Sequence, residues 1–267
     1  MAARTPERDR ARPPVRRASE VRLYGLNACL ALFARRPQDL RKLWLSESRI
    51  GALKPVLAWC VKQRIGYRVV ADEDLARLAG SSHHEGVVFD ALRREEPTLE
   101  AWLRGLPLEG PVLALWLDGV GNPHNLGAIL RSAAHFGVAG VLLPHGSGLG
   151  LSGAAARVAE GGAEAVPLVR LPAMREALQR LAAAGFALAA TVVRDGTPLY
   201  AAELPARLVL VMGAEGEGVD PALAAACAQR LGIPGTGAVE SLNVAAATAV
   251  FLGEWWRRHR QPYPLDR

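Results

Sequence analysis

Asn125 and Arg131 stand six residues apart in DGVGNPHNLGAILRSAAHFG, residues 118–137, a stretch that opens in turn residues and closes as an apolar helix. A guanidinium stays protonated and presents a planar fork of N–H donors, so its ordinary task at an open site is to hold a phosphate in two bonds. A carboxamide carries a donor and an acceptor, and can orient the backbone or the incoming guanidinium. Two more polar, glycine-rich stretches follow further on: GAEGEGVD, with Glu215, and PGTGAVESLN, with Ser241 and Asn243. Each alone is ordinary loop geometry. Three of them, each with a polar side chain that the local pattern leaves without a partner, ask for a common site.

The elements around them say where that site would be. VLALWLD, residues 112–118, is a continuous apolar run that suits a parallel strand buried on both faces. RLVLVM precedes the second stretch and RLGI the third. Between them come GVLLP, a helix near 152–160, AVPLVRL, the helix MREALQRLAAAG, the strand FALAATVV and a closing helix from about 242 to 260. Strands alternating with helices predict an α/β fold with a mostly parallel sheet and helices on both faces. In such sheets ligands bind beyond the carboxyl ends of the strands, where all three stretches would lie.

Upstream, a shorter alternation fills residues 21–92: the helix YGLNACLALFARR, the strand RKLWLSES, the helix LKPVLAWCVKQR, the strand YRVV, the helix DEDLARLA and the strand GVVFDAL. It predicts a small α/β domain. Residues 93–110, charged and proline-bearing, read as a linker to a second domain at 111–260, with 261–267 as a short tail. Residues 1–20 carry six arginines against three acids and two adjacent prolines, so a disordered basic tail is expected there.

Composition narrows the classes. Of the 267 residues, 50% are apolar and 22% charged, which describes a globular chain with a sizeable core. No apolar run is long enough to span a bilayer, and the N-terminus lacks the apolar stretch of a secretory signal. Three scattered cysteines, Cys29, Cys60 and Cys227, argue for reduced thiols in a cytoplasm. His124 and His135 have no third ligand at metal spacing and read as structural, so no metal is expected. His83 and His84 read as a loop pair. The net charge of +6 is compatible with nucleic acid without demanding it. GLGLSG, residues 148–153, fits a dinucleotide fingerprint, but the strand after it ends in Arg170 where the ribose would need an acid.

Taken together, NPHNLGAILRSA, LVLVMGAEGEGV and IPGTGAVESLNVAAATA closely resemble the three motifs of the SpoU (TrmH) family of RNA ribose methyltransferases, over about residues 111–256. Residues 21–92 more loosely resemble the L30e-like RNA-binding domain that precedes the catalytic domain in the subfamily acting on ribosomal RNA, with HHEGVVF where relatives often read H-Q-G. The resemblance implies a SPOUT-type, trefoil-knotted, mostly parallel sheet, a homodimer, and S-adenosylmethionine-dependent methylation of a ribose 2′-hydroxyl in ribosomal or transfer RNA. A catalytically inactive RNA-binding protein of the same fold is the alternative.

Carried over by position, the resemblance implies cofactor contacts at Gly213, Ile233 and Leu242, with Thr191 nearby, and catalytic roles for Asn125, Arg131, Glu215, Ser241 and Asn243. It makes Arg131 the base that takes the hydroxyl proton, whereas elementary chemistry makes it a phosphate clamp. Glu215 would orient Asn125 or Arg131, and Ser241 could equally be the N-cap of the last helix. Small residues at 245–249 followed by Phe251, Leu252, Trp255 and Trp256 suggest that this helix builds the dimer interface, or else that the tryptophans cover their own sheet.

Overall fold

A computed structural model of the chain describes residues 20–259. The basic tail is outside the described residues except for Glu20, and so is the C-terminal tail. Glu20 already belongs to a strand.

Two sheets organise the described chain. The first has four strands, β1 (Glu20–Tyr24), β2 (Leu40–Leu45), β3 (Gly66–Val69) and β4 (Val87–Leu92), in the order β1-β4-β2-β3. Its helices are α1 (Leu26–Arg35), α2 (Lys54–Gln63) and α3 (Asp72–Ala79). Alternation sends Leu23, Leu43, Leu45 and Phe89 to one face, where they meet Leu32, Val56 and Cys60 from α1 and α2. Strand β1 lies outside the elements read from sequence, because Glu20 and Arg22 make it look like a continuation of the charged tail.

The second sheet has seven strands, all parallel: β5 (Val112–Leu117), β6 (Gly140–Leu143), β7 (Leu168–Arg170), β8 (Ala187–Thr191), β9 (Thr197–Pro198), β10 (Arg207–Met212) and β11 (Gln229–Gly232). Their order is β7-β6-β5-β10-β8-β11-β9. Leu113, Leu115 and Leu117 of β5 face a core closed by α5 (Pro123–His135), α6 (Gly153–Val158), α7 (Gly162–Ala165) and α10 (Val244–His259). Ala114 and Trp116 face the opposite core, under α8 (Met174–Ala183) and α9 (Pro221–Ala226). Both faces of the sheet are therefore covered, as the unbroken apolar run of β5 requires.

The segment expected to be a linker is more than a tether. It holds α4 (Leu99–Arg104), N-capped by the Thr98 hydroxyl. Leu99 and Trp102 are buried in the second core, and Trp102 Nε1 donates to the Ala139 carbonyl at 3.0 Å. A side chain on Gly140 would collide with that indole, which explains glycine at the start of β6.

The two sheets also touch. Arg36 forms a two-pronged ion pair with Glu164, 2.8 Å on each side, with both side chains nearly sealed from solvent. Arg36 further bonds Asp39 and the Leu92 carbonyl. Asn27 donates to Glu160 at 2.6 Å, and Arg157 pairs with Glu85 at 3.2 Å. Gly153 and Gly161 are bare where β1 and α1 press against them: a Cβ would lie 2.7 Å from the Arg22 carbonyl or 2.9 Å from Ala31 Cβ.

Candidate functional site at the carboxyl edge

The chain leaves β5 outward to β6 and β7, then returns to the far side of β10 through β8. The carboxyl ends of β5 and β10 thus flank the point where the winding reverses, where open α/β sheets hold their ligands. Pairing runs to the last residue of both strands, and Asp118 N donates to the Met212 carbonyl beyond them.

Each loop has a local reason for its shape. After β5, Asn122 caps α5 by accepting from His124 N at 2.8 Å, and Pro123 takes the first helical position, where a missing N–H costs nothing. Asn125 therefore sits in the first turn of α5. After β10, Ala214 and Gly218 pair back on themselves around a tight turn with Gly216 and Gly218 at positive φ, which carries Glu215 at its tip. A side chain on Gly213 would strike the Gly218–Val219 backbone, so this glycine is required by its own loop. Asp118 ties the two loops by accepting from Asp220 N at 2.7 Å.

Three expected residues converge from these loops. Glu215 Oε1 accepts from Asn243 Nδ2 at 2.7 Å, Asn125 Nδ2 at 3.3 Å and Val244 N at 3.4 Å. Asn243 Nδ2 also donates to Asn125 Oδ1 at 3.1 Å. The carboxylate stands at the N-terminus of α10, where the helix dipole favours negative charge. Three segments far apart in sequence are joined into one polar cluster, mostly by side chains.

Two expectations change here. The cap of α10 is Asn243, whose Oδ1 accepts from Ala245 N at 2.9 Å and Ala246 N at 3.4 Å. Ser241 is exposed two residues earlier, so the alternative that made it the N-cap does not hold. Arg131 does not join the cluster. Six helical residues carry it about 9 Å along α5 and about 120° around it from Asn125. It is exposed, and among the described residues it makes no hydrogen bond or ion pair. Glu215 orients Asn125 and not Arg131.

Of the four residues expected beside the cofactor, Leu242 is 46% exposed and Ile233 is half-buried against the core. Val239, on the same loop, is 69% exposed, and this loop is held to the one after β8 by an Arg194–Glu240 ion pair at 3.0 Å. Thr191 ends β8, with its hydroxyl already donated to the Val211 carbonyl at 2.9 Å. Sequence reasoning missed Asp118 and the capping role of Asn122; an Asp ending a buried strand and an Asn before proline were the available signals.

The thiols are unsuited to nucleophilic chemistry. Burial pushes Cys29 and Cys60 up, and Cys227 up to about 11. Among the described residues no group of three His, Cys, Asp or Glu side chains could hold a metal ion, and no helix is long and apolar enough to cross a membrane. His84 is buried, its Nδ1 accepting from Gly86 N at 3.1 Å.

A parallel sheet wound both ways from a switch point, with polar side chains from three loops meeting there, defines an α/β domain built to hold and orient a small ligand. Comparison with known proteins makes this specific: the model of the SpoU rRNA Methylase family matches residues 112–253, and that of RNA 2′-O ribose methyltransferase substrate binding matches residues 22–97. The chain belongs to the SpoU rRNA Methylase family. It is 41% identical over 244 residues to the uncharacterised tRNA/rRNA methyltransferase YfiF of Escherichia coli O157:H7, covering 91% of this chain and 70% of that one. It is 33% identical over 242 residues to the 23S rRNA (guanosine-2′-O-)-methyltransferase RlmB of Shewanella oneidensis, covering 89% and 97%. An AdoMet-bound rRNA methyltransferase from Sinorhizobium meliloti superposes with a TM-score of 0.75 at 25% identity, covering 91% of this chain and 88% of that one.

Proposed function

We infer that the chain transfers a methyl group from S-adenosylmethionine to a ribose 2′-hydroxyl of structured RNA, ribosomal or transfer. The observation that carries this reading is the Asn125–Glu215–Asn243 cluster at the switch point, assembled from the three segments that resemble the family motifs. The relatives' names and the substrate-binding match over residues 22–97 support RNA as the substrate.

The residues fit the cofactor. Leu242 and Val239 offer exposed apolar surface for an adenine, and Ile233 lies against the same core. Gly213 brings bare backbone to the edge, and Thr191 flanks it. When bound, S-adenosylmethionine supplies an electrophilic methyl. The chain's own work is positioning: the cluster would hold the ribose with its 2′-hydroxyl at this edge, where the cofactor's methyl would be supplied. The donors from Asn125, Asn243 and Val244 all meet Glu215 Oε1, which leaves Oε2 to accept a hydrogen bond from the substrate hydroxyl and to take its proton as the oxygen gains the methyl. Ser241, exposed beside the cluster, bonds the ribose or its phosphate. Arg131, a permanently charged fork whose side chain has no partner among the described residues, clamps an RNA phosphate.

The working unit in this reading is a cytoplasmic homodimer with the trefoil knot of the family. Phe251, Leu252 and Trp255 do not argue for a dimer, because all three are buried within their own subunit and Trp255 Nε1 donates to the Pro205 carbonyl at 3.0 Å. The support is the opposite side of α10, where Ala246, Ala249 and Gly253 remain at least partly exposed and allow close helix approach. Sedimentation equilibrium at micromolar concentration is expected to give twice the 28.5 kDa chain mass; an active species at the single-chain mass refutes the dimer. The activity itself is tested by incubating the protein with labelled cofactor and unmodified RNA. Label is expected in RNA, and its absence with folded, cofactor-binding protein refutes the reading.

A further inference from the structure

The edge of the small domain farthest from the catalytic sheet is unlike the rest of the chain. Between Glu47 and Asp72 no acid occurs, while Arg49, Lys54, Lys62, Arg64 and Arg68 give these 24 residues a charge of +5, against +6 for the whole chain. Among the described residues, strand β3 is the outermost strand of its sheet and pairs only with β2. All four of its residues are exposed, including Tyr67 at 41%. Arg22, Arg36 and Arg77 of the same domain are each paired with a carboxylate. The side chains of Lys62, Arg64 and Arg68, by contrast, make no hydrogen bond or ion pair among the described residues. Arg64 is held at the turn into β3 by a left-handed conformation, φ 59°, closing α2.

An exposed aromatic ring between arginines whose side chains have no partner among the described residues, in a 24-residue stretch without an acid, is the chemistry of a single-stranded nucleic acid surface: the ring stacks on a base and the cations follow the phosphates. Resting on the reading of the chain as an RNA methyltransferase, we propose that the β3 edge binds an unpaired segment of the RNA substrate, with Tyr67 stacking on a base and Lys62, Arg64 and Arg68 holding its phosphates. The opposite edge, β1, is the one pressed against α6 of the catalytic domain. Three strand spacings, about 14 Å, therefore separate the RNA-bearing edge from the interdomain contact.

The test uses the full chain and 23S ribosomal RNA transcribed in vitro, with affinity measured across a series of salt concentrations. Replacing Lys62, Arg64 and Arg68 together with alanine is expected to lower the slope of log affinity against log salt by roughly 2, from three lost phosphate contacts. Tyr67→Ala is expected to weaken binding about tenfold through the lost stack, and Tyr67→Phe to restore it. Thermal unfolding and cofactor titration confirm that each variant is folded. Unchanged affinity and slope in both the triple variant and Tyr67→Ala overturn the proposal, including the case in which the edge docks a protein instead. Methyl transfer by the unaltered protein is read separately: its absence counts against the proposed reaction, while the binding series still decides whether this edge holds RNA.

Discussion

Two glycine-rich loops after strands of the same sheet look alike on paper and differ in every physical respect. In GLGLSG, residues 148–153, the polar groups are spent on the fold. Arg170 bonds the carbonyls of Ser147 and Leu149 and pairs with Glu96, while Ser152 caps α6. Gly153 is bare because β1 lies against it. In the loops after β5 and β10, capping is delegated to Asn122, and Asn125 and Glu215 point at each other across the switch point. A binding loop is told from a structural one by where its side chains are directed, not by its glycines.

The largest effects should come from the second kind of loop. Arg131→Ala is expected to lower methyl transfer by a factor of 100 or more, with cofactor binding and thermal stability retained, because this exposed side chain makes no hydrogen bond or ion pair among the described residues. Arg131→Lys should also be poor, since a point charge does not replace a planar fork. Near-normal turnover in Arg131→Ala, assayed with labelled cofactor, contradicts the role given to it.

Glu215→Gln keeps the shape of the cluster and removes its charge. Turnover is expected to fall about 100-fold, of the order seen when one well-placed polar group is lost from an active site. Asn243→Ala should cost about 1 kcal/mol of stability as well, because it also uncaps α10. If unfolding shows that loss and turnover does not change, Asn243 is only a cap.

The structural side of the comparison is sharpened by Arg36→Leu. It leaves Glu164 buried without its partner and is expected to destabilise the chain by about 3 kcal/mol, seen in denaturant unfolding. The double variant Arg36→Leu, Glu164→Leu should recover part of this. No recovery would mean that Arg36 matters through Asp39 and the Leu92 carbonyl.

The smallest effect concerns α10. Hydrogen bonds first from Arg257 and then from Arg258 hold the Glu254 carboxyl down to about 2. A depressed carboxylate contributes stability that is complete above its unfolded value, about 4.3, and lost as pH falls through 2. The stability gap between the unaltered protein and Glu254→Gln should therefore shrink from pH 7 to pH 3. A constant gap rules out the ionic origin.

Much of the catalytic sheet was legible in the sequence, because β5, β6, β8 and β10 are short apolar runs bounded by turn residues. The three polar stretches were legible too, since an unpaired Asn, Glu or Asn at a strand's carboxyl end is conspicuous. The closure of the cluster was not: Asn125 and Asn243 are 118 residues apart, and only the fold brings both to Glu215 while Asn243 also caps α10. Nor was the interdomain contact, since Arg36 and Glu164 each sit in an unremarkable local pattern 128 residues apart. Strand β1 was hidden by its charged neighbours, and α4 by the prolines and acids around it. The placement of Arg131 was misjudged because six residues along a helix change direction as well as height.

The most direct test of the central claim is nucleoside mass spectrometry of in-vitro transcribed ribosomal and transfer RNA after incubation with the unaltered protein and S-adenosylmethionine. A single 2′-O-methylated nucleoside, formed about 100-fold more slowly when Glu215→Gln is used in its place, is the result predicted. Methylation on a base, or equal 2′-O-methylation by Glu215→Gln, would contradict the assignment of the reaction to the Asn125–Glu215–Asn243 cluster.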